Sequence, residues 1–184
     1  MENNIELLKQ YIINKDFEKA TNLINNSNLD LYLNIDILFL LSINNSFNYL
    51  FDIYLDYFKL NPENKPLINN GISISIESNN FYAFQKLIDN SDLDDDKITN
   101  YILLISSFFY NDMLNILIKK YPSFNLTSLT VLSIIINLKN HYFYSTIIKH
   151  MKNINEINEQ WIEENINDTK NKQNIKKIIK IKTF

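Results

Sequence analysis

The chain has no cysteine. That excludes disulfides, thiolate metal sites and cysteine nucleophiles, and it fits a reducing compartment. It has no arginine either, and all 18 basic residues are lysine. A single glycine, Gly71, set in a helical context, leaves no room for a Gly-rich phosphate loop. Only three prolines and one tryptophan occur. No apolar run approaches the roughly 18 residues needed to span a bilayer. The opening MENNIELLKQ is acidic and polar, unlike a signal peptide. These absences together predict an intracellular, cytoplasmic location.

Asparagine and isoleucine are abundant, 31 of each. Both have AT-rich codons, as does lysine, whereas Gly, Pro and most Arg codons are GC-rich. The composition therefore reads as that of an AT-rich genome, and Asn abundance carries little functional information. The asparagines are interleaved with apolar residues, unlike a prion-type tract. Sequons at Asn25, Asn44, Asn125 and Asn167 follow from the same abundance. With 46% hydrophobic and 13% aromatic residues in 184, the chain is long and apolar enough to bury a core.

Charge is unevenly placed. Residues 1–168 carry 12 lysines against 21 acids, a net of −9, and residues 169–184 carry six lysines and no acid. The overall −3 hides this split.

Apolar residues recur at spacings of three and four over 5–13, 17–24, 35–43, 47–58, 67–76, 81–88, 98–108, 112–118, 129–138 and 142–151, which predicts helices. Polar punctuation such as NNSNLD, NPENKP and DNSDLDDD separates them. ISISI at 72–76 alternates like a strand, but its flanks continue a helical stripe, so helix is expected. Two landmarks repeat in step. Leu23, Tyr54, Leu87, Leu117 and Ile147 are separated by 31, 33, 30 and 30 residues. Leu41, Ile74, Leu104 and Ile134 are separated by 33, 30 and 30. A shared drift of this kind marks a helix-pair repeat whose units stack into one core.

GISISIESNNFYAFQKLIDNSDLD resembles the degenerate ankyrin repeats of large AT-rich DNA viruses of amoebae. Ile74-Ser75-Ile76-Glu77 and Ser78-Asn79-Asn80 occupy the first stretch of that unit, and Phe81, Phe84, Leu87 and Ile88 the second. The segments YILLISSFFYNDMLNILIKKYPSFN and VLSIIINLKNHYFYSTIIKHMKNIN match more loosely. By period the resemblance covers about residues 10–155. The ankyrin Thr-Pro-Leu-His signature is absent. The glycine of the helix-helix turn is replaced at Asn79-Asn80, Tyr110-Asn111 and Asn140-His141, where Asn tolerates left-handed backbone. The links are short, acidic or Pro-containing, so the projecting hairpins are expected to be shortened or lost. A generic α-helical solenoid or irregular bundle is the alternative fold.

Converging catalytic groups are sparse. His141 opens a helix and His150 lies on another face. Ser42, Ser106-Ser107 and Ser133 sit in apolar first helices, where serine packs or bonds back to the preceding turn. In DNSDLDDDK, Asp92, Asp94 and Asp96 alternate as in a calcium loop. The loop glycine is missing, however, and Leu103 holds the twelfth position. Capping of the following helix is the simpler role. Neither a metal nor a cofactor is expected. Phe108-Phe109-Tyr110 and Tyr142-Phe143-Tyr144 sweep most of a turn, so each places a ring outward or against a neighbouring repeat.

In NIKKIIKIK, Ile175, Ile178 and Ile179 share one face. Two roles stay open for this segment. It is either a cap on the last repeat or a basic surface for nucleic acid or membrane through Lys170, Lys172, Lys176, Lys177, Lys180 and Lys182. Trp161 just before it is expected to pack on the final repeat.

The expectation is an all-α fold. Residues 1–168 form a short solenoid of four to five ankyrin-like helix pairs, and 169–184 a Lys-rich amphipathic tail or capping helix. The resemblance implies a non-catalytic module that binds a host or viral protein, located for a viral chain in the host cytoplasm or the virion. Its surface is assigned to inter-repeat loops: Glu63, Asn64 and Lys65; Asp94, Asp95, Asp96 and Lys97; Ser123, Asn125 and Thr127. The alternative is a structural or packaging protein that contacts nucleic acid through the tail.

Overall fold

The structure is a computed structural model that describes residues 2–27, 29–32, 34–60 and 64–182, without the side chains of residues 2, 59, 60, 65 and 182. The described residues form twelve α-helices and no strand. They run in pairs: α1 (Glu2–Ile13) with α2 (Phe17–Asn26), α3 (Ile35–Asn44) with α4 (Asn48–Leu60), and α5 (Lys65–Glu77) with α6 (Phe81–Asp89). Then come α7 (Asp95–Phe108) with α8 (Asn111–Lys120), α9 (Leu129–Asn137) with α10 (His141–His150), and α11 (Glu159–Asn165) with α12 (Thr169–Lys182). ISISI lies inside α5 and is helical.

The chain divides into two compact units, Met1–Ser91 and Asp92–Phe184. In the first, each helix packs on its own partner. In addition α1 meets α3, α3 meets α5, and α4 meets α6. The second unit repeats the rule: α7 meets α9, α8 meets α10, and α10 meets α12. Each unit is thus two layers, one of first helices and one of second helices, which is the packing of a helical repeat.

The turns inside the pairs explain the period. Lys15, Ser46, Asn79, Phe109 and Lys139 all have left-handed backbone, with φ between 53 and 60°. Their steps are 31, 33, 30 and 30, the same as the core landmark. Only Asn79 matches the turn residues expected from sequence. In the fourth and fifth pairs the left-handed position falls one residue before Tyr110 and Asn140, on Phe109 and Lys139. The reason is hydrogen-bond geometry. A helix that ends in a Schellman turn needs its left-handed residue one place before the bond that closes the turn. Those closing bonds run from the Asp16, Phe47, Asn80 and Tyr110 N–H groups to Tyr11, Ser42, Ser75 and Ile105 carbonyls, at 2.8, 2.8, 2.8 and 3.3 Å. The next residue then caps the second helix. The Asp16, Asn80 and Asn140 side chains accept from the Lys19, Ala83 and Tyr142 N–H groups.

Asn80 does a second job. It is buried, and its Nδ2 donates to the Ile43 carbonyl of the preceding pair at 2.8 Å. Asn171, on α12, is also buried and donates to the Ile136 carbonyl at 3.2 Å. Ile43 and Ile136 hold the same place, three residues before the left-handed turn residue. Asp168 caps α12 as Asp16 and Asn80 cap earlier second helices, its Oδ1 accepting from the Asn171 N–H at 2.8 Å, and it lies 28 residues after Asn140. The period therefore runs on, slightly shortened, into α12, the second helix of a further pair.

Gly71 is needed for close approach of α5 to α3. A Cβ there would lie 2.9 Å from the Phe39 ring and 3.0 Å from Ile43 Cδ1. Both neighbours are fully buried and cannot swing away. Gly71→Ala should cost about 1 kcal/mol net, overpacking outweighing the gain in helix propensity. Gly71→Val should cost more than about 2 kcal/mol. Urea unfolding of the two variants measures both.

Burial also sets an alkaline limit. It pushes the Tyr101 phenol up to about 12 and the Tyr54 phenol further, because the folded interior disfavours phenolate. A raised folded pKa means the native state keeps a proton that the unfolded chain releases. Stability is therefore whole below about pH 10 and falls as pH rises towards 12. Tyr101→Phe should remove roughly 1–2 kcal/mol of that loss, read as a shallower decline of Tm between pH 9.5 and 11.5.

Candidate interaction surface

In the second unit the loops between pairs are locked to one another. Asp94 caps α7, its Oδ1 accepting from the Lys97 N–H at 2.8 Å and its Oδ2 meeting Lys97 Nζ at 2.9 Å. These bonds, led by the backbone N–H, hold the Asp94 carboxyl below its ordinary value. Asp95 Oδ2 accepts from Asn125 Nδ2 at 3.0 Å. The Thr127 N–H donates to Thr99 Oγ1 at 3.3 Å. The next tier is tighter. Asn153 reads the Leu126 backbone as a strand would, accepting its N–H and donating to its carbonyl, both at 2.9 Å. The Lys152 N–H donates to the Phe124 carbonyl at 2.7 Å, and His150 Nδ1–H donates to the Pro122 carbonyl at 2.8 Å. An isolated parallel bridge joins Phe124 and Met151. It is the only strand-like pairing among the described residues, where a hairpin repeat would project a ribbon.

The structure thus brings Asp94, Asp95, Asp96, Lys97, Asn125 and Thr127 to one hydrogen-bonded rim, with Ser123 exposed beside them. Asn64 lies in the first unit, in the turn before α5, with Lys65 next to it. Glu63 and the side chain of Lys65 lie outside the described residues. The acids of DNSDLDDDK have separate tasks: Asp94 caps, Asp95 holds Asn125, and Asp92 and Asp96 face solvent.

Sequence reasoning placed a ring of Phe108-Phe109-Tyr110 outward but missed that Phe108 joins an apolar strip on the first-helix layer of the second unit. Phe108, Ile134 and Leu138 are 42%, 45% and 37% exposed, and Leu104 is half-buried. Leu104 and Phe108 stand one turn apart on α7, and Ile134 and Leu138 one turn apart at the end of α9. The two helices pack together. The periodic column Leu41, Ile74, Leu104 and Ile134 was the available signal. The period located that column, but only packing shows that none of its members is buried.

The aromatic runs divide. Phe143 and Tyr144 are core. Phe109 is exposed and packs edge-on against Phe143, and Phe108 stacks on Tyr110. Three tyrosines tie successive second helices: Tyr49 to Asn25 at 2.8 Å, Tyr82 to Asp52 at 2.7 Å, and Tyr142 to Asn115. The Asp52 carboxylate holds the Tyr82 phenol above its ordinary value. The serines of the first helices bond back. Ser42, Ser106, Ser107 and Ser133 each donate to a carbonyl three or four residues earlier.

Lysines of α12 have unequal fates. Lys172 Nζ lies 2.5 Å from Glu163 Oε2, and Lys176 Nζ 3.2 Å from Glu163 Oε1 and 3.8 Å from Glu159. Lys172 first, then Lys176, lowers the Glu163 carboxyl. Lys170, Lys177 and Lys180 are exposed, and the side chain of Lys182 lies outside the described residues. Ile175 is fully buried, Ile178 and Ile179 half-buried. Trp161 on α11 is half-buried while its neighbour Ile162 fills the core. No helix of the described residues is long and apolar enough to cross a membrane.

No family model, no curated protein and no solved structure matches this chain.

Proposed function

We propose that the chain is a non-catalytic protein-interaction module, a degenerate ankyrin-like repeat whose partner is a host or viral protein. The observation that carries this reading is the pairing of two surfaces in the second unit. One is a rim of loops fixed by Asn125, Thr127 and Asn153. The other is the exposed strip of Phe108, Ile134 and Leu138. Polar loops fixed at the starts of α7 and α9, with exposed apolar side chains further along the same two helices, match the make-up of protein interfaces. Fixing the loops before binding lowers the ordering cost of association.

The test is affinity capture of the tagged full chain from its source cells, beside the variant Asp94→Asn/Asp95→Asn/Asp96→Asn. Asn keeps the cap and the hydrogen-bond shape but removes three charges. The reading expects one stoichiometric protein partner, with recovery from the variant reduced about tenfold or more. Equal recovery from both proteins counts against the loop surface. Recovery of bulk nucleoprotein alone counts against the module.

A further inference from the structure

A cleft of about 270 Å³ opens in the second unit between the α9–α10 turn and the start of α12. Lys139, His141, Tyr144, Asp168, Lys170, Asn171 and Asn174 line it. We propose that this cleft binds a compact oxyanion of the phosphate-ester class, independently of the loop surface.

Many polar groups of the cleft are already used. At the floor, the fully buried Tyr144 donates its O–H to Asn171 Oδ1 at 3.1 Å, and Asn174 Nδ2 reaches Tyr144 Oη at 3.4 Å. Asn171 is largely engaged: its N–H donates to Asp168 Oδ1 at 2.8 Å, its Nδ2 donates one proton to the Ile136 carbonyl, and its Oδ1 accepts from Tyr144. The deepest acceptors and one oxygen of the only lining acid are therefore occupied. What remains at the mouth is dominated by donors. Lys139 and Lys170 are exposed, and neither forms an ion pair with a described residue, whereas Lys172 and Lys176 on the same helix do. His141 stands beside them, its ring edge-on to Tyr144 at 5.0 Å.

Two ammonium groups and an imidazole facing one cleft call for a ligand that supplies several acceptors and more than one negative charge. A phosphate monoester does so, with three terminal oxygens and a charge near −2. The cleft has room for the phosphate and part of the group it is attached to. Lys139 is the left-handed residue between α9 and α10, and its N–H donates to the Ile136 carbonyl at 3.1 Å, so the turn sets where its side chain leaves the backbone.

The test is a titration of the full ¹⁵N-labelled chain with inorganic phosphate, against sodium chloride at matched ionic strength. The proposal expects saturable amide shifts confined to residues 139–141 and 168–174. The variant Lys139→Gln/Lys170→Gln should weaken the apparent affinity at least tenfold while leaving Tm unchanged. Shifts that do not saturate, that spread evenly over all lysines, or that persist unchanged in the double variant overturn it. A phosphoserine peptide and its unphosphorylated twin form the second arm. Tighter binding of the phosphopeptide than of phosphate assigns the site to a phosphorylated protein, and equal binding assigns it to a small phosphate ester. Equal binding of the two peptides overturns the proposal.

Discussion

Phe39→Ala lowers the stability of the first unit by about 3–5 kcal/mol, the usual cost of removing a buried phenyl ring. The site cannot collapse around the loss. Phe39 is fully buried, and its ring meets Phe51, Tyr54 and Phe58 at centroid distances of 6.0, 6.3 and 4.7 Å. Two of these contacts are edge-on and one is stacked, so the ring fixes three others at once. On its remaining side stands the Gly71 backbone, close enough that no Cβ fits between them. Tyr54 in turn is pinned by its O–H to the Leu31 carbonyl at 2.9 Å, so it cannot move into the void. Domains are stable by about 5–15 kcal/mol, so this single change removes a large share. Thermal unfolding followed by near-ultraviolet circular dichroism reads the loss. Phe39→Leu, which keeps much of the volume, should cost well under half as much. A drop below about 1 kcal/mol for Phe39→Ala would mean that the aromatic cluster is not the core of this unit.

Much of this fold can be read from sequence, for a definite reason. Core positions such as Tyr54, Leu87, Leu117 and Ile147 are set by the distance from one left-handed turn to the next, so the apolar spacing and the backbone geometry carry the same period. The turn residues themselves are harder to read. Lys15, Ser46, Phe109 and Lys139 carry no sequence preference for positive φ; the first three are held there by the two bonds of the turn and Lys139 by its bond to the Ile136 carbonyl, against a strain of about 1 kcal/mol. The last pair was hidden as well. Its composition shifts to lysine, and α11 is only seven residues long, so the tail reads as an appendage. Asp168 keeps the repeat's cap there, and the role of Asn171 shows only through its bond to Ile136. The loop surface was legible as a set of links between helices. The bonds that tie Asp95 to Asn125 and Leu126 to Asn153 span about 30 residues of chain and appear only once the pairs are stacked.

The continuation of the repeat into α12 makes a large prediction of its own. Ile175 is fully buried against the layer that holds α10, and Asn171 supplies partners for both Tyr144 Oη and the Ile136 carbonyl. Removing α12 exposes Tyr144, a side chain among the largest that are fully buried, and strips its hydroxyl of its acceptor. Loss of Ile175 burial costs about 1.5–3 kcal/mol. The stranded tyrosine and the uncovered face of α10 bring the total to roughly 5 kcal/mol. The measurement that tests the repeat most directly compares the full chain with a chain ending at Asp168, by thermal unfolding and by amide hydrogen exchange in α9 and α10. The account predicts a fall in the second unit's Tm of more than about 10 °C, with exchange protection lost through α10. An unchanged Tm and undiminished protection of α10, with salt-sensitive nucleic-acid binding lost from the shortened chain, would contradict it and make α12 a basic appendage.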